Sequence, residues 1–404
     1  MTERLKPETP EQVLEAVQWG LAEGHTYEVT GQGSKRGYGA PPAATHGLDL
    51  TGLSGIQLYE PGELVMSAGC ATPLADIAAA LNEHRQRLAF EPPNLGPLLA
   101  GGTMGGGSIG GLFACNLAGP RRIQAGAARD HLLGFHGVSG LGEQFKSGGR
   151  VVKNVTGFDL CKLMAGSFGT LAVLTDVTFK VLPMPEKTRT VLVLGLSDDD
   201  AVVALTRALH GAYDVSGAVH LPADIAAESG VSYVVDAGCS VTAIRIEGPG
   251  PSVDVRCRAL RDDLAGFGDT EELHSSNSHS LWREVRDVDF FIGDDKQVWR
   301  LSVAPADGPA VARAIQGEIG GRVFYDWGGG LIWLAIKERP DADHQSVRAV
   351  VDAAGGHATL IRASEPVRAA VPVFHPQAPA LAAITQRVKE SFDPKGLFNP
   401  GRMG

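Results

Sequence analysis

The chain has 404 residues, of which 44% are hydrophobic, and a formal net charge of −10. This length predicts two domains, and the hydrophobic fraction excludes a disordered chain. Because the net charge is negative and no block of like charges occurs, we expect no nucleic-acid partner. No apolar run approaches the length of a membrane span, and the polar N-terminal stretch does not resemble a secretory signal.

The cysteines are odd in number and widely spaced. They are Cys70, Cys115, Cys161, Cys239 and Cys257. This pattern predicts reduced thiols in a cytoplasmic protein. Because the sequence contains no C-x-x-C pair, we expect neither an iron–sulfur cluster nor another metal site in this chain. Electrons handled here would then leave through another carrier.

The first 90 residues predict helices and strands around a glycine-rich loop. A capping box at residues 9–12, with Pro10 at the first helical position, begins a helix that Gly24 ends. The predicted elements that follow are a strand at 27–30, the loop "GQGSKRGYG" at 31–39, strands at 55–59 and 63–69, and a helix at 73–84.

Residues 91–150 are rich in Gly and Pro but carry Leu, Ile and Phe throughout. A flexible linker would be polar, so this composition predicts packed but irregular chain. Within it, Gly105, Gly107 and Gly110 match the dinucleotide fingerprint G-x-G-x-x-G. A Rossmann loop needs a strand before it and a helix after it, and the flanking prolines disfavour both. We therefore interpret the match as chance and Gly101–Gly107 as a flexible approach to the segment that follows.

After Pro183 and Pro185 the pattern changes to alternating strands and helices. The predicted strands lie at 190–196, 215–221, 241–247, 298–304 and 357–363, and the predicted helices at 198–210, 252–265, 307–318, 341–353 and 377–390. Residues 322–337 predict a hairpin that turns at Gly328–Gly330. This mixture predicts an α+β sheet covered on one face. We place the domains at 1–184 and 185–375, with 376–404 as a C-terminal helix and tail.

Two glycine-rich segments, "TGQGSKRGYG" (30–39) and "SIGGLFACNLAG" (108–119), lie far apart in the first half. Backbone N–H groups in such segments form anion-binding nests, and glycine lets a phosphate approach closely. Converging from opposite sides, the two could hold a pyrophosphate. Either segment alone could equally be a tight turn.

Four segments together resemble the flavoproteins whose FAD-binding domain is of the p-cresol methylhydroxylase (PCMH) and vanillyl-alcohol oxidase type. They are "VTGQGSKRGYG" (29–39), "SIGGLFACNLAGPRR" (108–122), the stretch from "GGRVVKNVTGFDL" to "TFKVLP" (148–183) and the tail "FDPKGLFNPGRM" (392–403). With "DWGGGLIWL" (326–334) and "AGGHAT" (354–359), the chain is similar to the FAD-binding subunits of bacterial glycolate oxidases. The resemblance implies an α+β fold in which a two-subdomain FAD-binding domain is joined to a ferredoxin-like domain that covers the flavin as a cap.

The resemblance also implies which residues hold FAD. Those expected along the pyrophosphate are Gly31, Gln32, Gly33, Ser34 and Lys35 on one side and Ile109, Gly110 and Gly111 on the other, with Ala114 nearby; Gly169 and Val173 are expected at the adenine and ribose. Some relatives attach the flavin covalently through a histidine in the first loop. Because Ser34 occupies that position here, we expect noncovalent FAD.

Several polar residues admit two interpretations. Lys153 and Asn154 would cap a helix or contact the flavin. Arg121 and Arg122 would bind a substrate carboxylate or form a solvated surface pair. Asp326 and Trp327, at the turn of the predicted hairpin, would serve hairpin geometry or form a contact surface.

The catalytic residue is the weakest part of the pattern. Oxidation of a 2-hydroxy acid needs a base for the hydroxyl proton, and histidine is the usual choice. His357 in "AGGHAT" is a weak candidate, because catalytic relatives carry a longer Gly-Glu-His-Gly motif that lacks its Glu and second Gly here. The alternative is a strand-end histidine satisfied by the backbone.

Three functions follow from the resemblance. The first is an FAD-carrying, electron-transferring subunit of a glycolate oxidase complex that oxidises glycolate to glyoxylate. It would work beside a paralogous catalytic flavoprotein subunit and an iron–sulfur subunit, in the cytoplasm and peripheral at the inner membrane through these partners. The second is a self-sufficient FAD-dependent 2-hydroxy-acid dehydrogenase that acts on D-lactate or glycolate. The third is a scaffold that has lost flavin, against which the intact glycine segments argue.

Overall fold

The computed structural model describes residues 3–99, 106–150, 157–293 and 296–403. The chain divides into two compact units. The first unit comprises Met1–Ala118, Gly126–Met184 and Pro376–Gly404, and the second comprises Gly119–Ala125 and Pro185–His375. The short segment Gly119–Ala125 thus belongs to the second unit although it interrupts the sequence of the first.

The described residues contain both helices and strands, numbered here in chain order. The strands are β1 (Arg4–Leu5), β2 (Tyr27–Thr30), β3 (His46–Asp49), β4 (Ile56–Glu60), β5 (Val65–Gly69), β6 (Gln86–Arg87), β7 (Leu132–Ser139), β8 (Gln144–Gly148), β9 (Ala172–Lys180), β10 (Leu182–Pro183), β11 (Lys187–Leu194), β12 (Val215–Leu221), β13 (Val241–Gly248), β14 (Thr270–His274), β15 (Lys296–Ser302), β16 (Arg322–Asp326), β17 (Leu331–Lys337) and β18 (His357–Arg362). The helices are α1 (Pro10–Glu23), α2 (Leu74–Glu83), α3 (Ile109–Ala114), α4 (Arg122–Ala125), α5 (Leu160–Met164), α6 (Asp198–His210), α7 (Ala223–Ala226), α8 (Ser232–Val235), α9 (Gly250–Leu264), α10 (Ser275–Asp287), α11 (Gly308–Ile319), α12 (His344–Ala353), α13 (Glu365–Ala370) and α14 (Pro379–Phe392).

The first unit contains a parallel sheet of order β1-β3-β2 and an antiparallel sheet of order β4-β5-β9-β7-β8. The predicted caps of α1 are confirmed. The Thr9 side chain accepts a hydrogen bond from the Gln12 N–H group at 3.3 Å, and Gly24 ends the helix with a φ of 72°. Helix α1 therefore leads into β2 and the glycine loop as its sequence predicts.

The prediction that residues 91–150 are irregular is wrong for its last part. Strands β7 and β8 pair there as an antiparallel hairpin, and β7 also pairs with β9. The glycines of β7 permit close backbone approach: a Cβ atom on Gly134 would lie 2.7 Å from the Gly149 nitrogen, and one on Gly137 would lie 2.8 Å from the Val173 oxygen. Here glycine marks tight sheet packing rather than irregular chain.

The second unit is built on an eight-stranded sheet of order β14-β11-β13-β12-β16-β17-β15-β18, in which every pair is antiparallel. Helix α6 has the predicted bounds, and the Ser197 side chain caps it by accepting from the Asp200 N–H group at 3.2 Å. The predicted hairpin is β16–β17, with Asp326 opposite Leu331 at its turn. The α+β fold class is therefore confirmed.

Helices cover both faces of this sheet, so the expectation that only one face is covered is wrong. Helices α6 and α9 pack on a buried apolar cluster that includes Ala218 of β12. The neighbouring residue Gly217 points the other way, where a Cβ atom would lie 2.8 Å from the Trp282 ring of α10. The Trp282 Nε1–H group donates to Thr190 Oγ1 at 2.8 Å. Helix α10 was missed because its sequence is largely polar: it buries Ser278 and Glu284 alongside Leu281, Trp282 and Val285.

Candidate functional site: a glycine-lined cleft in the first unit

A cleft that is open to solvent lies in the first unit; the space between its walls, open solvent included, is about 830 Å³. It is lined by residues 29–36 and 167–169 together with Leu50, Cys70, Ser108, Gly110, Gly111, Ala114, Cys115, Ala172, Leu174, Asn399 and Arg402. The loop after β2, helix α3, the turn before β9 and the C-terminal tail therefore meet around one space.

The two glycine-rich segments converge at this cleft. A Cβ atom on Gly31 would lie 2.5 Å from Ser108 Oγ, so the first loop has no room for a side chain against the second segment. A Cβ atom on Gly107 would collide with Ser34. On the other side, a Cβ atom on Gly110 would lie 2.7 Å from the Cys70 oxygen. Glycine is needed at these positions because backbone meets backbone or a fixed side chain.

The first loop presents consecutive backbone donors. The N–H groups of residues 32–35 donate to no acceptor among the residues that the structure describes. Buried or half-buried N–H groups without an acceptor are rare in folded proteins, and runs of them form anion-binding nests. The loop is therefore built to receive a negatively charged group.

Lys35 adds a buried positive charge to this loop. Its ammonium group donates to Ser34 Oγ at 3.1 Å and to the Gly106 oxygen at 3.3 Å, both of which are neutral acceptors. Burial lowers the pKa of Lys35, and the Cys115 thiol acts in the opposite direction. A cation removed from water is costly unless a negative charge compensates it. Lys35 therefore also points to an anionic ligand.

The thiols that line the cleft are neutral. Burial raises the pKa of Cys70 to about 12, and burial raises the pKa of Cys115 despite the opposing effect of Lys35 and Arg402. All five cysteines are free. The thiols therefore contribute no negative charge against Lys35 at neutral pH.

Two tail residues that sequence reasoning missed also line the cleft. Asn399 Oδ1 accepts from the Val29 N–H group at 2.9 Å, and its Nδ2 donates to the Phe168 oxygen at 2.9 Å. Arg402 Nη2 donates to the oxygens of Lys35 at 2.8 Å and Tyr38 at 2.7 Å. The resemblance of the tail segment was the available signal, but nothing local in its sequence indicates which main-chain groups it reaches.

Nine of the eleven residues predicted to bind the cofactor line this cleft. They are Gly31, Gln32, Gly33, Ser34, Lys35, Gly110, Gly111, Ala114 and Gly169. The other two, Ile109 and Val173, are fully buried outside the lining, and the Ile109 N–H group donates to the Thr72 oxygen at 3.0 Å. Lys153, Asn154 and most of Gly101–Gly107 lie outside the described residues.

The remaining candidate residues lie in the second unit. For Arg121, both proposed interpretations are wrong. Arg121 is buried and forms two hydrogen bonds to one carboxylate, from Nε to Glu247 Oε2 at 2.8 Å and from Nη2 to Glu247 Oε1 at 3.0 Å. It is neither a solvated surface residue nor open to a substrate, because a carboxylate of its own unit occupies its guanidinium.

Arg122 and Trp327 form a separate arrangement. The Arg122 guanidinium carbon lies 4.5 Å from the centre of the Trp327 ring, and that of Arg300 lies 4.9 Å from the same ring. Trp327 Nε1–H donates to the Gly119 oxygen at 3.2 Å, and the Asp326 carboxylate accepts from the Trp327 N–H group at 2.7 Å. Asp326 therefore stabilises the turn, and the guanidinium groups of both arginines pack on the Trp327 ring.

His357 is the first residue of β18 and is exposed. Its imidazole makes no hydrogen bond to the described part of the chain, so the backbone does not satisfy it. Partial burial lowers the pKa of His357, and Arg300, His375 and Arg122 lower it further. The imidazole is therefore neutral at neutral pH, as a general base must be, although nothing at this position identifies a substrate.

The described residues contain neither a metal-binding cluster nor a membrane-spanning helix. Among them, no group of three or more His, Cys, Asp or Glu residues is placed to hold a metal ion. None of their helices combines the length and apolar character needed to cross a membrane.

Comparisons with known proteins show the family of the chain. The family model of the FAD binding domain matches residues 4–148. The chain is 33% identical to glycolate oxidase subunit GlcE of Escherichia coli over 97% of this chain and 96% of that one. It is 38% identical to glycolate oxidase subunit GlcD of Bacillus subtilis over 22% of this chain and 18% of that one. The solved structure of p-cresol methylhydroxylase with substrate bound superposes with a TM-score of 0.70 at 14% identity, over 99% of this chain and 88% of that one.

The chain therefore belongs to the PCMH-type FAD-binding flavoproteins, a family of FAD-dependent oxidoreductases. Within that family it is similar along nearly its whole length to glycolate oxidase subunit GlcE. The cleft fits the cofactor: its unpartnered N–H groups, its buried Lys35 and its close glycine approach suit the negatively charged pyrophosphate of FAD.

Proposed function

We propose that this chain is the FAD-binding, electron-transferring subunit of a glycolate oxidase complex that oxidises glycolate to glyoxylate. The observation that carries the proposal is the 33% identity to glycolate oxidase subunit GlcE across 97% of the chain. The proposed partners are a paralogous catalytic flavoprotein, of the kind to which the GlcD match points, and an iron–sulfur subunit. The proposed location is the cytoplasm, with peripheral attachment to the inner membrane through these partners.

We assign FAD to a domain at 1–184, to which the segment 376–404 returns, and assign 185–375 to a separate α+β domain. In this proposal the N–H groups of residues 32–35 and the Lys35 ammonium hold the pyrophosphate from one side. Gly110 and Gly111 allow its approach from the other, and Gly169 lies at the adenosine end. FAD, when bound, would supply the two-electron oxidation chemistry.

The proposed FAD is noncovalent. The first-loop position at which some relatives carry a flavin-linking histidine is Ser34 in this chain, whose Oγ is buried and accepts from Lys35 Nζ at 3.1 Å. A serine hydroxyl held in this way fixes the Lys35 ammonium in the loop and forms no flavin linkage. Denaturation should therefore release the flavin from the protein.

A self-sufficient 2-hydroxy-acid dehydrogenase is the second candidate. One observation favours it: Arg122 and Arg300 lower the pKa of the His357 imidazole, which makes no hydrogen bond to the described residues. A neutral imidazole near guanidinium groups could take the hydroxyl proton of a bound hydroxy acid. Against it stands the motif around His357, which lacks the Glu and second Gly of catalytic relatives.

The visible spectrum of the purified chain under anaerobic conditions separates these functions. For the electron-transferring subunit we expect a yellow protein whose flavin stays oxidised with glycolate or D-lactate alone and bleaches when the catalytic partner is added. Bleaching without the partner would select the self-sufficient enzyme. A colourless protein that releases no FAD on denaturation would overturn both and support a scaffold.

A further inference from the structure

A sharp turn follows helix α14 in the first unit. Asp393, the residue after this helix, has a φ of −141° and a ψ of 70°, outside the helical region. Gly396 then turns the chain with a φ of 65°, in the left-handed region that glycine adopts without strain. The tail that begins at residue 397 carries Asn399 and Arg402, which line the cleft.

The Asp393 side chain lies at the centre of this turn and is fully buried. Its Oδ1 accepts a hydrogen bond from the Leu397 N–H group at 2.8 Å, and its Oδ2 accepts one from the Phe398 N–H group at 3.0 Å. Lys389 Nζ lies 3.5 Å from Oδ2 and supplies the opposite charge. Hydrogen bonds to an ionised acceptor are about twice as strong as neutral ones. The two carboxylate oxygens therefore fix the direction in which the tail leaves the turn.

The tail leaves the turn as an added strand beside β2. The Tyr27 N–H group donates to the Leu397 oxygen at 2.7 Å, and the Asn399 N–H group donates to the Tyr27 oxygen at 2.8 Å. Phe398 pairs with Tyr27 in a parallel bridge and is fully buried. Because β2 runs directly into the first glycine loop, a strand fixed on its edge determines where that loop begins.

Two side chains of the tail then join parts of the cleft that lie far apart in sequence. Asn399 bonds to the main chain of Val29, at the end of β2, and of Phe168, in the turn before β9. Arg402 bonds to the main-chain oxygen of Lys35 in the first loop. Neither side chain could reach these partners if the tail left α14 in another direction. The shape of the loop therefore depends on the turn at Asp393.

The turn between β7 and β8 fixes the position of Asp393. The Gly140 N–H group donates to the Phe392 oxygen at 2.8 Å. A Cβ atom on Gly140 would lie 2.6 Å from the Asp393 Cα atom, so no side chain fits at this position. A larger residue at position 140 would therefore displace Asp393 without removing its carboxylate.

We propose that Asp393 is a positioning residue for cofactor binding: its carboxylate directs the C-terminal tail, and the tail holds the first glycine loop in the shape that binds the pyrophosphate. Asp393 is not among the residues that line the cleft. It acts through Asn399 and Arg402, not through contact with the cofactor. This role rests on the proposed placement of the pyrophosphate at the loop, but not on the proposed substrate or partner subunits.

Titration of the apoprotein with FAD, followed by flavin fluorescence, tests the role of Asp393. Asp393→Asn keeps the size of the side chain but turns one acceptor into a donor that faces a main-chain N–H group. We expect the Kd of FAD to rise about tenfold, the size expected for the loss of one hydrogen bond to a charged group. Glu390→Gln, at an exposed carboxylate of α14, is the matched control and should leave the Kd unchanged.

Two reference variants separate failure of this role from failure of the pyrophosphate placement. Unchanged FAD affinity in Asp393→Asn, together with weakened affinity in Lys35→Met and Arg402→Gln, would overturn the role of Asp393 alone. Unchanged affinity in Lys35→Met and Arg402→Gln would overturn the placement of the pyrophosphate, and the role of Asp393 with it. Gly140→Ala should weaken FAD binding as Asp393→Asn does, because it displaces the same carboxylate.

A double-mutant cycle distinguishes positioning from general destabilisation. Asp393→Asn should raise the Kd of FAD by a smaller factor in the Arg402→Gln background than in the wild type, because the hold of the tail on the loop is already lost there. Equal factors in both backgrounds would overturn the proposal. Amide hydrogen exchange of the apoprotein localises the effect: residues 32–38 should exchange faster in Asp393→Asn than in the wild type, and helix α6 of the second unit should not. Unchanged exchange of residues 32–38 would likewise overturn the proposal.

Discussion

Arg402 Nη2 donates to the main-chain oxygen of Lys35 at 2.8 Å, although 367 positions separate the two residues. The same nitrogen donates to the Tyr38 oxygen at 2.7 Å. Gly39 leaves room for this contact, since a Cβ atom there would lie 3.2 Å from the Arg402 side chain. The last residues of the chain thus fix the shape of the loop that presents Lys35 to the cleft.

Arg402→Gln should loosen this loop and weaken FAD binding. Hydrogen bonds from a charged donor contribute about 1.5–3 kcal/mol each, so we expect the Kd of FAD to rise at least tenfold and the melting temperature to fall. Titration of the apoprotein with FAD, followed by flavin fluorescence, measures the effect. Arg387→Gln, at an exposed position of α14, is the control. Equal FAD affinity in the two variants would show that the tail does not support the loop.

Lys35→Met should have opposite effects on the apoprotein and on cofactor binding. Removing a buried cation relieves a desolvation cost, so we expect the melting temperature of the apoprotein to rise by a few degrees. Loss of the charge that faces the pyrophosphate should raise the Kd of FAD at least tenfold. Thermal unfolding of the apoprotein and FAD titration measure the two quantities. A lower melting temperature with unchanged FAD affinity would assign Lys35 a purely structural role.

Elements with local signals could be predicted from the sequence. Helix α6 begins after Ser197 and carries three acidic residues in its first turn, and its bounds match the prediction. The β16–β17 hairpin follows from apolar alternation around Gly328–Gly330. In the cleft, glycine spacing and the family resemblance predicted nine of the 22 lining residues. These features depend on residues that are close together in the sequence, so sequence patterns can predict them.

Features set by distant contacts could not be predicted. The glycines of β7 suggested irregular chain, because their need for close backbone approach arises only once β9 lies alongside. The sequence indicated a surface position for Arg121, because its partner Glu247 lies 126 positions away. The hydrogen bond from Asn399 to the Phe168 oxygen likewise joins residues that lie 231 positions apart. Tertiary partners decide the burial of polar residues, and one sequence does not reveal them.

Alanine at two glycines should change stability in opposite directions. Gly110→Ala places a Cβ atom 2.7 Å from the Cys70 oxygen, so we expect destabilisation by about 1–3 kcal/mol and loss of FAD affinity. Gly317→Ala, inside α11 with no atom within 4 Å of the new Cβ atom, should stabilise the protein by about 1 kcal/mol. Thermal unfolding of both variants measures the contrast. Stabilisation by Gly110→Ala would contradict the tight approach of α3 to Cys70.

Glu247→Gln should destabilise the second unit strongly. Glu247 accepts two hydrogen bonds from the buried Arg121 and lies 3.9 Å from the buried Arg245. Removing the negative partner of a buried ion pair costs about 3–5 kcal/mol. Calorimetric unfolding measures the loss, with Asp254→Asn, in the solvent-exposed pair with Lys187, as a control expected to cost below about 1 kcal/mol. Similar losses in both variants would contradict the buried character of the Arg121–Glu247 pair.

The lowered pKa of His357 predicts that this residue destabilises the folded protein as the pH falls. Burial, Arg300, His375 and Arg122 place the pKa of His357 in the folded state below its ordinary value of 6.5. As the pH falls, His357 is therefore protonated at a higher pH in the unfolded chain than in the folded one. The neutral imidazole contributes to stability above pH 6.5, and this contribution is lost as the pH falls from 6.5 to the pKa of His357 in the folded state. We expect His357→Asn to remove this loss, so that the melting temperature of the wild type falls relative to the variant between pH 7.5 and 5.5. A wild type that gains stability relative to His357→Asn on acidification would contradict the lowered pKa of His357.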